Sequence, residues 1–405
     1  MTAIPHRILS ILAVCLLGSV VVSTVTGRQG TVTATRIRTL TAEQEEILSH
    51  QSIVFLDDGQ GGMVKTLRIE GINVQVVNGL GTTATINGLG NLVVGYNELG
   101  NPNGDNRTGS HNIVAGREST FSSHGGLIVG FGNTVSGPWA SVSGGAYNTA
   151  TDIFASVSGG RDNTASDVAA SVSGGRNNTA SASTSSVSGG ECNTADNISS
   201  SVTAGLSNNA SGRCSSVSGG RNNTASNFDS SVSGGKLNTA AGEASSVSGG
   251  FANMASGEDA SVTGGRSNTA SVGQSSVSGG RSNMASASYA SVSGGRDNTA
   301  SGLASAVSGG RNNSATFTHS SVSGGWYNTA SAIYSSVGGG RNNTASGSQS
   351  SVSGGRNNLA SGSYASVSGG RGNIANGYHS SVSGGHNRSA LNNYNWAGGA
   401  YSSNN

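Results

Sequence analysis

The chain has 405 residues, with 66 glycines, 3 prolines, 10% charged and 5% aromatic side chains, and a formal charge of +2. Glycine stands at more than twice its usual share and charged residues at under half of theirs. These figures exclude a conventional large apolar core and collagen, which needs glycine at every third place, and they lack the net charge that drives disorder.

In chain order, Met1 to Arg7 forms a short, positively charged n-region and Ile8 to Val25 an apolar run, before the small residues of Val25–Thr26–Gly27. Residues 1–27 therefore read as an export signal. The alternative is an uncleaved anchor, because the run approaches the roughly 20 residues that span a bilayer. Cys15 follows Val14, which is too bulky for a good lipidation signal. Residues 28–87 read as a helix plus a hairpin that caps the coils to follow. Thr41 and Gln44 have capping-box spacing, which predicts a short helix to about His50. Ser52 to Leu56 and Val64 to Ile69 flank Asp57 to Gly62 as a hairpin, and Ile72 to Val76 alternates like a further strand.

From Ser141 the sequence resets every 15 residues, at Ser156, Ser171 and onward to Ser381, giving seventeen units over residues 141–395. A short fixed period marks a solenoid. Position two is always valine (Val142, Val157, Val172), position five glycine and position ten alanine (Ala165, Ala180). Position eight is asparagine (Asn163, Asn178) until Arg388 replaces it in the last unit. Side-chain alternation sends positions fifteen, two and four inward on one strand and eight, ten and twelve on the other. The expected fold is all-β, a parallel β-solenoid of about 20 coils whose core is a thin ladder of Val, Ala and Asn. The Asn column is expected to bond from coil to coil.

Residues 88–140 read as degenerate first coils. Leu92, Ile113 and Leu127 are aligned with the valine position, and Val94, Ala115 and Val129 with the first glycine. A polar loop over 97–109 absorbs the extra residues, and residues 396–405 read as a C-terminal cap or tail. Cys192 and Cys214 fall at the seventh and fourteenth repeat positions, so stacking does not pair them and no disulfide framework is expected.

The pattern G-x-x-N-x-A-x-G-x-x-S-x-V-x-G resembles the head repeats of trimeric autotransporter adhesins, the YadA-like heads, over residues 88–395 or so. His111 to Val129 is the nearest stretch. The resemblance implies a left-handed β-roll, assembly as a homotrimer and an adhesive role at the cell outer membrane. The repeat departs from that pattern in having 15 residues and a Gly–Gly pair rather than 14 and one glycine, and the end Trp396 to Tyr401 shows neither stalk nor membrane anchor.

Chemistry is sparse. His319 and His379 share a repeat position but lie four coils apart, so no zinc site follows, and no metal or other cofactor is expected. Asp152 with Asp167, and Glu243 with Glu258, recur in successive coils, and they read as solvated turn acids more readily than as a glycosidase pair. Thr at position nine and Ser at position eleven form hydroxyl columns, which suggest ice binding as an alternative. Met254, Met284, Leu359 and Ile374 interrupt them. The residues most suggestive of a ligand stand at position six: Arg161, Arg176, Arg221, Arg266, Arg281, Arg296, Arg311, Arg341, Arg356 and Arg371, with Lys236. Ala146, Glu191, Leu206, Phe251 and Trp326 space them, and no Asp, Glu or Lys follows Asp297. A line of like charges attracts polyanions. The expectation is thus an exported, non-enzymatic structural or adhesive protein at the cell surface. Its expected partners are further copies of itself, acidic polysaccharide or lipopolysaccharide, and an outer-membrane secretion partner, but not nucleic acid. A polysaccharide-active enzyme is the remote alternative.

Overall fold

The structure, a computed structural model, describes residues 40–398. The export-signal reading over 1–27, with Cys15, lies outside the described residues, as does the tail beyond Gly398. The chain divides into two compact units, one ending at Gln75 and one starting at Val76.

In the first unit Thr41 caps α1 (Ala42–Ser49), and both hydrogen bonds of the capping box form with Gln44. Strands β1 (Gln51–Asp57) and β2 (Met63–Ile69) pair antiparallel in full register. Their turn is tied by the Asp58 carboxylate, which accepts from the N–H groups of Gln60 and Gly62 and is thereby held below the ordinary carboxylate range. The alternating Ile72–Val76 segment is not a strand. Gly71, at φ 77°, turns the chain after β2, and Ile72 and Val74 remain exposed without a ladder partner.

The second unit is a parallel β-solenoid of about 19 turns with a 15-residue period. Its coils stack one to one, as in Val157 opposite both Val142 and Val172 and Ala165 opposite both Ala150 and Ala180. In the coil 156–170, the N–H groups of Ser158, Arg161, Thr164 and Ser166 donate to the next coil, those of Asp162 and Ala169 to the preceding one, and that of Ser156 to Ala170 at the coil's own end. The small side chains at positions two, eight, ten and fifteen are fully buried, as at Val157, Asn163, Ala165 and Ala170. Position four does not join them, since Gly144 and Gly159 are half-exposed.

The Asn column bonds from coil to coil as expected, and its partners are main-chain groups. Asn163 Oδ1 accepts from the N–H of Asn178, while its Nδ2 donates to the carbonyls of Gly159 and Gly175. One interior amide thus satisfies three backbone groups that Val and Ala could not, and an unmade bond there would carry the full desolvation penalty.

Corners are made by left-handed residues. Gly160, at φ 86°, sits where a Cβ would collide with the Gly175 carbonyl, so position five admits only glycine. Positions seven and fourteen are also left-handed but accept other residues, for example Asp162 at φ 55° and Ala169 at φ 54°.

The first coils pair one residue away from the sequence alignment. Leu127 lies opposite Ser141 and Ile128 opposite Val142, so Val93, Val114 and Ile128 occupy the valine position, and Leu92, Ile113 and Leu127 do not. Val129 accordingly falls level with Ser143 rather than with the first glycine. Burial decides the register: Val114 and Ile128 are fully buried while Ile113 is 50% exposed. The offset grows from 14 residues at Ile128–Val142 to 15 at Phe131–Ala146, which makes the first glycine of each Gly–Gly pair the inserted residue. The 97–109 loop is stitched to this section by buried amides, Asn97 to the Ser119 carbonyl and Asn101 to those of Glu118 and Asn133. At the other end the ladder outlasts residue 395, with Trp396 opposite Ser381 and Ala397 opposite Val382.

Candidate ligand-binding edge

Position six is a third β strip. Single parallel bridges run unbroken from Phe131 through Ala146, Arg161 and Arg176 to Arg371 and His386. Each arginine N–H donates to the position-five glycine carbonyl of the next coil, 2.9 Å for Arg161 to Gly175 and 2.8 Å for Arg356 to Gly370. The ten predicted arginines therefore stand on one line, their Cα atoms about 4.8 Å apart between successive coils.

Their side chains divide into two groups. Arg161 pairs with Asp162 at 3.2 Å, Arg296 with Asp297 at 3.1 Å, and Arg176 with Glu191. Upstream, Arg117 is bound by Glu118. The side-chain hydrogen bond and then the charge of the carboxylate raise the pKa of Arg176 and Arg117 further above the ordinary range. Arg311, Arg341, Arg356 and Arg371 form no ion pair and no side-chain hydrogen bond among the described residues, and neither do Arg221, Arg266 and Arg281. Besides Glu191, two of the intervening residues act as more than spacers. Trp326 lies between Arg311 and Arg341, with guanidinium carbons 5.8 and 4.6 Å from the ring centroid, and Phe251 lies between Lys236 and Arg266 at 5.7 and 5.3 Å. An aromatic face between two cations offsets part of their repulsion.

The other sequence candidates have local roles. The Asp152 and Asp167 carboxylates each accept from the next residue's N–H, at 2.6 Å in both cases. His319 stacks on Tyr334, and His379 between Tyr364 and Tyr394, on the position-fourteen corner. That aromatic column escaped the sequence reading, although the recurrence of Tyr and His at one repeat position carried the signal. Its rings lie face to face, so the faces between them are closed to a sugar. Cys192 and Cys214 are free, exposed thiols. Among the described residues no three His, Cys, Asp or Glu side chains gather as metal ligands, and no helix is long and apolar enough to cross a membrane. The Thr–Ser face is interrupted as expected by Met254 and Met284, both exposed. Ser at positions one and three is more regular, broken only by Ala306, Gly338 and the hydroxyl-bearing Thr203 and Thr263. The hydroxyls of these serines make no hydrogen bond within the described chain except that of Ser383, which accepts from Trp396 Nε1 at 2.8 Å.

No protein-family model matches the chain, and no curated protein matches it.

Proposed function

We propose that the chain is an exported, non-enzymatic scaffold of the cell surface, adhesive through repetition and carrying polyanions on its arginine edge. The observation that supports this reading is the constant register, which repeats each surface position coil after coil in a straight line. Weak contacts on such a line add by avidity, because each bound coil raises the effective concentration of the next. The scaffold works as a homo-oligomer, a trimer by its resemblance to adhesin heads, and reaches the surface with an outer-membrane secretion partner. Chains with six, twelve and seventeen regular coils should bind immobilised acidic polysaccharide or lipopolysaccharide with affinity that climbs steeply with coil number. Affinity independent of coil number would refute the scaffold. Sedimentation of the mature chain at micromolar concentration tests the assembly, and a strict monomer would exclude it.

The unpartnered serine columns favour ice binding as a second reading, since they form a hydroxyl lattice free of bulky or charged groups. Thermal hysteresis in a freezing-point assay is its direct test, and none should appear if the scaffold reading holds.

A further inference from the structure

Resting on the scaffold reading, we infer that the C-terminal stretch of the edge, from Arg311 to His386, is the binding site for a linear acidic polysaccharide, and that the carboxylate-paired Arg161, Arg176 and Arg296 are not part of it.

Charge sets this stretch apart: Arg221, Arg266 and Arg281 are also unpaired, but Asp229, Glu243, Glu258, Asp259 and Asp297 lie within their part of the chain. Arg161, Arg176 and Arg296 are each neutralised by a carboxylate of their own chain. Arg311, Arg341, Arg356 and Arg371 have no such partner, and no acidic residue follows Asp297. Their guanidinium donors face outward from exposed residues. The Arg311–Trp326–Arg341 sandwich fixes two of them in place, so less freedom is lost when an anion binds. A guanidinium recognises carboxylate and sulfate oxygens through paired N–H donors.

Two further chemistries lie on the same edge. Asn312, Asn342 and Asn357 occupy position seven, each left-handed at φ 53–56°, and their side-chain amides make no hydrogen bond within the described chain. A free carboxamide both donates and accepts, which suits sugar hydroxyls. Tyr327, 48% exposed and stacked on Trp326 with ring centroids 5.5 Å apart, supplies the face turned away from Trp326 for a sugar ring. Acid groups, hydroxyls and ring faces occur together in acidic polysaccharides. Five coil steps from Arg311 to His386 extend over about 24 Å, which calls for a polymer rather than a single sugar. Nucleic acid fits less well, because it needs successive ring faces for its bases. Here the ring of Trp326 is covered by Arg311, Arg341 and Tyr327.

The test uses the full chain and surface plasmon resonance on immobilised polygalacturonate, with polyglutamate as a polyanion lacking sugar hydroxyls. Replacing Arg311, Arg341, Arg356 and Arg371 by Gln should weaken polygalacturonate binding at least tenfold. Replacing Arg161, Arg176 and Arg296 by Gln should change it less than twofold. Because these side chains are exposed, circular dichroism should be unaltered in both. The triple variant N342A/N357A/Y327A should lose affinity for polygalacturonate but not for polyglutamate. Equal binding by the quadruple variant and the wild type overturns the assignment. So does equal loss on both polymers in the triple variant, or tighter binding to single-stranded DNA or to lipopolysaccharide vesicles than to polygalacturonate. Failure here with a coil-number dependence intact would leave the scaffold in place with its ligand on another face, whereas loss of that dependence refutes the scaffold itself.

Discussion

Asn268→Ala isolates the role of the amide ladder, because it removes one link from the middle of a uniform stack. Asn268 Oδ1 accepts from the buried N–H of Asn283 at 3.0 Å, and its Nδ2 donates to the Gly264 and Gly280 carbonyls at 2.8 and 3.0 Å. These three groups do not suffer equally. The Gly280 carbonyl keeps the Arg266 N–H at 2.8 Å, and the half-exposed Gly264 carbonyl can turn to water. The Asn283 N–H has no other partner, at a cost of about 1–3 kcal/mol, while the two weakened carbonyl bonds add about 1–2 kcal/mol. The expected loss is therefore about 2–5 kcal/mol in urea unfolding. Each coil touches only its neighbours, so the damage should be local. Hydrogen exchange should accelerate in the coils around residues 261–290 and stay unchanged near 156–200. A loss under about 0.5 kcal/mol, within the range of ordinary surface substitutions, would mean that water replaces the amide and that the ladder does not hold the coils together.

Two other predictions concern single positions. Gly265→Ala should lower stability by about 3 kcal/mol or more, since Gly265 has φ 87° and a Cβ there would meet the Gly280 carbonyl, whereas Gly264→Ala meets nothing within 4 Å and should be nearly neutral in thermal melts. The Asp105 carboxylate accepts from the N–H groups of Gly100 and Asn101, and Arg107 lies 3.9 Å away. These hold its pKa below the ordinary 3.8. Because the folded value is the depressed one, the loop is stabilised above the ordinary value, and that stabilisation is lost as pH falls through the folded one. Protection of the Gly100 and Asn101 amides, taken as exchange relative to the intrinsic rate at each pH, should therefore fall only below pH 3.8, and Asp105→Asn should abolish that dependence.

The period, the buried Val, Ala and Asn columns and the invariant glycine at position five were legible because each depends on one residue type that repeats. Position six was not read as a β strip because arginine, tryptophan and alanine share no strand propensity, and a single bridged residue leaves no alternation to detect. The left-handed corners at seven and fourteen were hidden for a similar reason. Phe154, Leu237 and Tyr394 occupy them, and none of these residues signals a positive φ. The first coils slipped by one because Leu92–Val93–Val94 and Leu127–Ile128–Val129 offer three apolar residues in a row, and a one-residue shift exchanges the faces. On the arginine edge the sequence located the column but could not separate neutralised arginines from free ones. That distinction depends on which carboxylate lies beside each guanidinium, and Glu191 reaches Arg176 only because their coils are adjacent.

The one-to-one stacking of 15-residue coils is tested most directly by a distance measured along the axis. With Cys192 and Cys214 replaced by Ser, spin labels at Ser173→Cys and Ser293→Cys should lie eight coils apart, about 38 Å by electron–electron resonance. Deleting residues 231–245 removes one coil and should shorten that distance to about 34 Å with an equally narrow distribution. Deleting only 231–237 breaks the register and should broaden it. An unchanged distance after the 15-residue deletion, or a broad distribution in the full chain, would contradict the stacked solenoid.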